Sequence, residues 1–234
     1  MDRRQFNCAA TATVGLVTLA VPSQSRARGL DDLSNAEASQ GLRTALQQGA
    51  LAAVELLGRP GGFLNNPKVR IPLPGFLADA AKLLKTLGQG KRVEELEVAI
   101  NRAAEAAVPL AKNLLVGAVK SMSVTDAKNI LTGGATSVTS FFADKTRAPL
   151  GVQFLPVVTS ATRKVGLAEK YNRVAGKASG MGLVSKDDAT IEQYVTRKSL
   201  DGLYFMIGEE EKKIRQDPAA SGKAILTKVF GALK

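Results

Sequence analysis

The 234-residue chain contains no histidine and no tryptophan, and its one cysteine is Cys8. Each absence removes chemistry. Zinc, copper and haem lose their usual ligands when His is missing and Cys is single. A Ser-His nucleophile is excluded, and no intrachain disulfide can form. The uncharged stretch Cys8 to Val21 is short of the roughly 20 residues that a membrane-spanning helix needs. No Gly-rich phosphate loop occurs, and Gly133-Gly134 reads as a helix end. No DxDxDG calcium loop is present. Aromatics rarely alternate with basic residues, so no nucleic-acid partner is expected. Catalysis, if any, is left to carboxylates, Lys, Tyr, Ser or a hard metal on oxygens. The sequence calls for no cofactor and no metal site.

The N-terminus has the form of an export signal. Arg3-Arg4-Gln5-Phe6 precedes the mildly apolar stretch from Cys8, Pro22 breaks it, and Ser25-Arg26-Ala27 offers small residues at the −3 and −1 cleavage positions. The arginine pair is twin-arginine-like, although Asp2 and Asn7 depart from the usual pattern. Residues 1–27 are therefore expected to be a cleavable signal and 28–234 a single domain, periplasmic or secreted. Cleavage would remove Cys8 and leave 207 residues with 29 basic and 20 acidic side chains. So basic a surface favours anionic partners, and export makes an anionic lipid or a cell-wall polymer the expected one.

The apolar spacing is helical nearly throughout. Ser34 to Glu37 has capping-box spacing, and Leu42, Leu46, Gly49, Ala53 and Leu57 share one face before Gly58. A short helix is predicted over 76–87. A long one over 91–122 carries the stripe Val93, Leu96, Ile100, Ala103, Ala107, Leu110, Leu114 and Ala118, which Pro109 should bend or split. Ser123 caps the next helix, ending at Gly133-Gly134. Two stretches follow over 136–147 and 150–165, then one over 167–176. Lys177 to Ala189 reads as a loop. Thr190 to Gln216 is a strong helix with Ile191, Val195, Leu203, Met206 and Ile214 inward. A last helix after Ser221 would carry Ile225, Leu226, Val229 and Phe230. Period-two alternation is confined to a short strand near Val69. The expected fold is all-α: an irregular multi-helix bundle with one Pro-rich extended loop.

That loop, GRPGGFLNNPKVRIPLP from Gly58 to Pro74, holds four of the nine prolines. An extended run puts Val69, Ile71 and Leu73 on one side and Lys68 and Arg70 on the other. Asn65 and Asn66 supply directional hydrogen bonds, and Lys68 and Arg70 attract an anion, so these four are the candidate binding residues. The alternative is a rigid cross-over with Arg70 in a structural ion pair.

A second candidate lies at Glu209-Glu210-Glu211. The spacing pairs Glu209 with Lys213 and Glu211 with Arg215 along a helix. The chemical alternative makes Glu209 or Glu210 the acid of a carboxylate-dependent hydrolase of a cell-wall glycan. It needs a second carboxylate, for which Asp126 and Glu105 are the candidates. The aromatics Tyr171, Tyr194, Tyr204, Phe141, Phe142, Phe154 and Phe205 fall at helical positions and are expected in the core.

Three segments, GFLNNPKVRIPLP (62–74), KSMSVTDAKNIL (120–131) and LDGLYFMIGEEEKKIRQDP (200–218), resemble an exported bacterial family called domain of unknown function 4197. The resemblance spans residues 30–233 and implies an all-helical protein outside the cytoplasm, with no reaction assigned. A non-enzymatic envelope protein presenting a basic loop is thus the leading expectation.

Overall fold

The computed structural model describes residues 35–217 except 135, together with 219–222 and 227. The expected signal over 1–27, the Ser34 cap and most of the helix after Ser221 lie outside the described residues. Among those described, the chain is helical with no strand. The helices are α1 (Asn35–Gly58), α2 (Gly75–Thr86), α3 (Gly90–Ala107), α4 (Ala111–Lys120), α5 (Val124–Thr132), α6 (Ser137–Thr162), α7 (Gly166–Gly180) and α8 (Ile191–Gln216). Single 3₁₀ turns occupy Val108–Leu110, Lys186–Asp188 and Ala219–Ser221.

α8 packs against α1 and α6, and α3 packs against α6. Their apolar faces fuse into one core. On α1 that face is Leu42, Leu46, Gly49, Ala53 and Leu57, all buried. Gly49 faces α8, where a Cβ would make ordinary contact with the Glu210 Cβ at 3.5 Å. α6 buries Phe142, Thr146, Leu150, Phe154, Val158 and Thr162 at strict four-residue steps. Each large apolar side chain so buried contributes roughly 1.5–3 kcal/mol.

Local capping follows the spacing. The Asp126 amide donates to Ser123 Oγ while the Ser123 amide donates to the Asp126 carboxylate, a closed capping box for α5. Thr190 caps α8 by accepting from the Gln193 amide.

Four expectations need correction. First, 136–147 and 150–165 are not two helices but one. Pro149 and Pro156 sit inside α6 on its exposed side, where the carbonyls that lose an amide partner meet water. Second, Pro109 does split the long helix, and the apolar stripe slips at the split. The 3₁₀ turn advances about 120° per residue instead of 100°. Leu110 is thereby turned outward at 43% exposure and Val108 and Ala111 take inward positions, while Leu114 stays packed on the core and Ala118 stays buried as the stripe required, beside Leu115 and Val119. Third, the loop expected from Lys177 begins later, because α7 runs on to Gly180, and it contains a 3₁₀ turn. Fourth, no strand forms at Val69: the Val69 and Arg70 amides turn back to donate to the Asn66 carbonyl.

Candidate functional site

The Gly58–Pro74 segment lies between α3 and α8, and three side chains of α3 hold it. They are Glu97, Asn101 and Glu105, spaced four residues apart and so aligned on one helix face. Glu105 accepts hydrogen bonds from the Phe63 and Leu64 amides at 3.1 and 3.0 Å and pairs with Arg102 at 2.6 Å. Asn101 is fully buried. It accepts from the Ile71 amide at 2.8 Å and donates to the Ile71 carbonyl at 2.9 Å, so it pairs with that peptide much as a strand would. Glu97 pairs with Arg70 at 2.8 Å.

α8 grips the other side. The Tyr194 hydroxyl donates to the Pro72 carbonyl at 3.0 Å. Gly202 makes room for Phe63 and Val69: a Cβ there would lie 2.8 Å from Phe63 Cε1 and 3.3 Å from Val69 Cβ. Val69 and Ile71 are buried as the alternation required, with Leu73 packed on the core. The tight start of the loop uses Gly61 at φ +85°.

Lys68 and Arg70 do point away from the core, but neither cation is unpaired. Lys68 Nζ contacts Glu209 at 2.6 Å, and Arg70 contacts Glu97. The two candidate sites therefore meet, and the Arg70 ion pair is of the kind the cross-over alternative required. Glu209 consequently does not pair with Lys213. That lysine takes Glu210 at 2.6 Å, while Arg215 pairs with Glu211 as the spacing indicated. Asn66 spends its side-chain oxygen on the Lys68 amide at 3.1 Å, an Asx turn. Asn65 is exposed.

Electrostatics separate the carboxylates. Lys68, by hydrogen bond and by charge, holds the Glu209 carboxyl below its ordinary range. Burial would raise the Glu105 carboxyl, but the Leu64 amide, Arg102, and the Gly61 and Phe63 amides together outweigh it, and the net shift is downward. A general acid needs the opposite shift. Glu105 has both oxygens engaged under the loop, and Asp126 caps α5, so each offered second carboxylate is committed elsewhere.

Beside the Lys68–Glu209 pair opens a half-open groove of about 570 Å³. Its long wall is α8, where Asp201, Phe205, Gly208, Lys212 and Arg215 recur at steps of three and four, flanked by Tyr204, Glu209 and Glu211. That stripe is about 21 Å long at the helical rise. The opposite wall is the α5–α6 turn at Gly133-Gly134 with Thr136, Thr139 and Arg147 of the α6 region. Gly208 brings the walls together, since a Cβ would lie 3.0 Å from Thr139 Oγ1. Arg147 closes one end, paired with Asp201 at 2.9 Å and stacked over the Tyr204 ring at 5.1 Å. Tyr204 is anchored by Thr146 at 2.9 Å. Phe205 was expected in the core and is instead 44% exposed, because its neighbours Tyr204 and Met206 take the inward positions of that turn. Lys212 makes no ion pair with any described residue.

Sequence reasoning missed the Glu97–Asn101–Glu105 ladder. Its signal was legible as polar residues at four-residue spacing beside an apolar stripe. The groove had no such signal, because its two walls are about 60 residues apart in the chain. Among the described residues no cluster of three or more potential metal ligands occurs, and no helix is long and apolar enough to cross a membrane.

No curated protein and no solved structure matches the chain. A family model does: residues 32–231 match the family described as protein of unknown function (DUF4197), covering both walls of the groove and the whole clamped loop, and the chain belongs to that family.

Proposed function

We propose that this is an exported, non-catalytic binding protein of the cell envelope, which lays an anionic polymer strand along the α8 groove and against the neighbouring loop. One observation carries the reading: the groove joins an exposed aromatic face, Phe205, to a cation left without an ion pair, Lys212, at the foot of a rigidly clamped loop. A sugar ring stacks on the aromatic face, and a carboxylate or phosphate of the polymer meets Lys212. Lys68 and Arg70 add positive potential from the loop, screened in part by Glu209 and Glu97. The loop is ordered before binding, so little entropy is lost on contact. A half-open groove suits an extended strand better than the flat surface of a bilayer.

The hydrolase alternative asks Glu209 or Glu210 to carry a proton. Both are paired with lysines, and the Glu209 carboxyl is shifted down. Binding without turnover is therefore favoured.

The test is retention of the full chain on immobilised peptidoglycan, against a neutral polysaccharide, in 0.05 and 0.5 M salt, concentrations on the order of those that leave and remove surface electrostatics. Salt-sensitive retention is expected, weakened about tenfold in Phe205→Ala plus Lys212→Ala, a combined loss of about 1.4 kcal/mol for the two contacts. Retention unchanged in that pair, or absent in the parent, refutes the groove. Soluble sugar fragments released by the parent but not by Glu209→Gln would establish the hydrolase instead.

A further inference from the structure

The positive charge is unevenly placed. Residues 82–92 hold four basic and no acidic side chains, and residues 163–186 hold six basic and one acidic. These two stretches together account for nine of the chain's eleven formal net positive charges. They come from the α2–α3 turn and from α7 with its flanks. They meet in space where Arg92 and Glu95 of α3 and Gly166 and Lys170 of α7 line one pocket.

The same stretches carry large apolar side chains in water. Along α7 and its C-cap, Lys170, Val174, Lys177 and Met181 follow at steps of four, three and four, so they form one outward stripe. All four are exposed, Val174 at 56% and Met181 at 70%. Beyond the helix, Gly182 at φ +75° turns the chain and leaves Leu183 76% exposed. The α2 end repeats the pattern: Leu87 is 66% exposed beside Gly88 at φ +75° and next to Lys85 and Lys91. Lys164, Lys170, Lys177 and Lys186 form no ion pair with any described residue. Glu169 faces Arg173 at 3.6 Å, and Asp188 is taken by Arg197 at 2.6 Å, so neither neutralises these lysines at close range.

We propose that the α7 face is a membrane-surface docking site: Met181 and Leu183 enter the headgroup–acyl boundary of an anionic bilayer while Lys170, Lys177 and Lys186 meet its headgroups. Charge complementarity names the anionic partner. The apolar side chains name a bilayer over a polymer, because a polysaccharide strand offers no hydrocarbon to bury them in. Neither contribution suffices alone at physiological salt, since surface attraction is screened within about 8 Å and two apolar side chains insert shallowly. The site shares no residue with the α8 groove. It stands or falls separately from the polymer reading.

The absence of tryptophan supplies a local probe. The full chain carrying Leu183→Trp has a single indole at the docking tip. Val152→Trp, at a site 76% exposed on α6, is the control. Each is titrated with vesicles of phosphatidylglycerol and, separately, of phosphatidylcholine. The Leu183→Trp emission is expected to shift to the blue and gain protection from an aqueous quencher on phosphatidylglycerol alone, while Val152→Trp stays water-like. Lys170→Ala and Lys177→Ala should each weaken partitioning about fivefold, the effect of one surface cation. Phe205→Ala should leave it unchanged. The proposal is overturned if the parent does not bind phosphatidylglycerol. Binding without a blue shift at residue 183, or binding insensitive to both lysines, overturns it equally.

Discussion

Asn101→Ala tests the clamp that shapes the candidate site. Asn101 is fully buried and Ile71 is 1% exposed, so water does not take over the bonds that Asn101 makes. The substitution strips partners from the Ile71 amide and the Ile71 carbonyl. An unsatisfied buried group costs about 1–3 kcal/mol, so the pair costs about 2–6 kcal/mol before any cavity is counted. The third bond, from Asn101 Nδ2 to the Glu97 carbonyl, adds little, since that carbonyl keeps its helical partner. A typical domain has about 5–15 kcal/mol in all, so the loss should be conspicuous. Asn101→Leu fills the volume without restoring either bond and should cost nearly as much. The assay is urea unfolding, read as a fall in the midpoint at unchanged slope. Hydrogen exchange of the Ile71 amide gives the local readout, with protection lost in both variants. A cost below about 1 kcal/mol, with Ile71 still protected, would refute the reasoning, because an orphaned buried amide should not be that cheap.

Three further outcomes follow from the same packing. Gly202→Ala forces a methyl against Phe63 and Val69 and should cost about 1–3 kcal/mol in thermal or urea unfolding; Gly151→Ala, with open space around it, should be tolerated. Glu105 has a folded pKa below its ordinary 4.5, so its stabilisation is fully present above that value and is lost as pH falls through the lower folded one. The acid limb of the stability–pH curve should therefore flatten in Glu105→Gln, and an unchanged limb would show that the carboxylate is not held by the loop amides. Burial pushes Tyr171 and Tyr194 up to about 12, so their stabilisation is present below about pH 10 and is lost between there and about 12. Absorbance titration near 295 nm should show little tyrosinate until the protein approaches unfolding; full ionisation near pH 10 in the folded state would count against the buried hydroxyl contacts to Pro72 and Asp188.

Phe205 and Pro149 illustrate where sequence reading stops. Phe205 has the spacing of a core residue, yet Tyr204 and Met206 occupy the inward positions, and the aromatic is left to the groove. Pro149 is a helix breaker by local rules, but the four-residue ladder of buried side chains from Phe142 to Thr162 carries α6 through it. Leu110 shows a third limit, since one 3₁₀ turn rotated it out of the stripe that periodicity had extended across Pro109. At Pro149 the burial of Phe142, Leu150, Phe154 and Val158, roughly 1.5–3 kcal/mol each, outweighs the ~3 kcal/mol that a proline inside a helix costs.

The sequence by itself determined the all-helical class, the helix cap at Ser123, the buried faces of α1 and α8, and the inward side of the Gly58–Pro74 loop. Those features depend on residues within a few positions of one another, where helix period and cap chemistry act. Only the tertiary structure decided that Lys68 meets Glu209 across 141 residues, that Asn101 binds the Ile71 peptide, and that α6 and α8 enclose a groove beside them. An ion pair between exposed side chains is too weak to be dictated by spacing, and a groove between distant helices has no local pattern at all. Both come into being only when the core brings α3, α6 and α8 together.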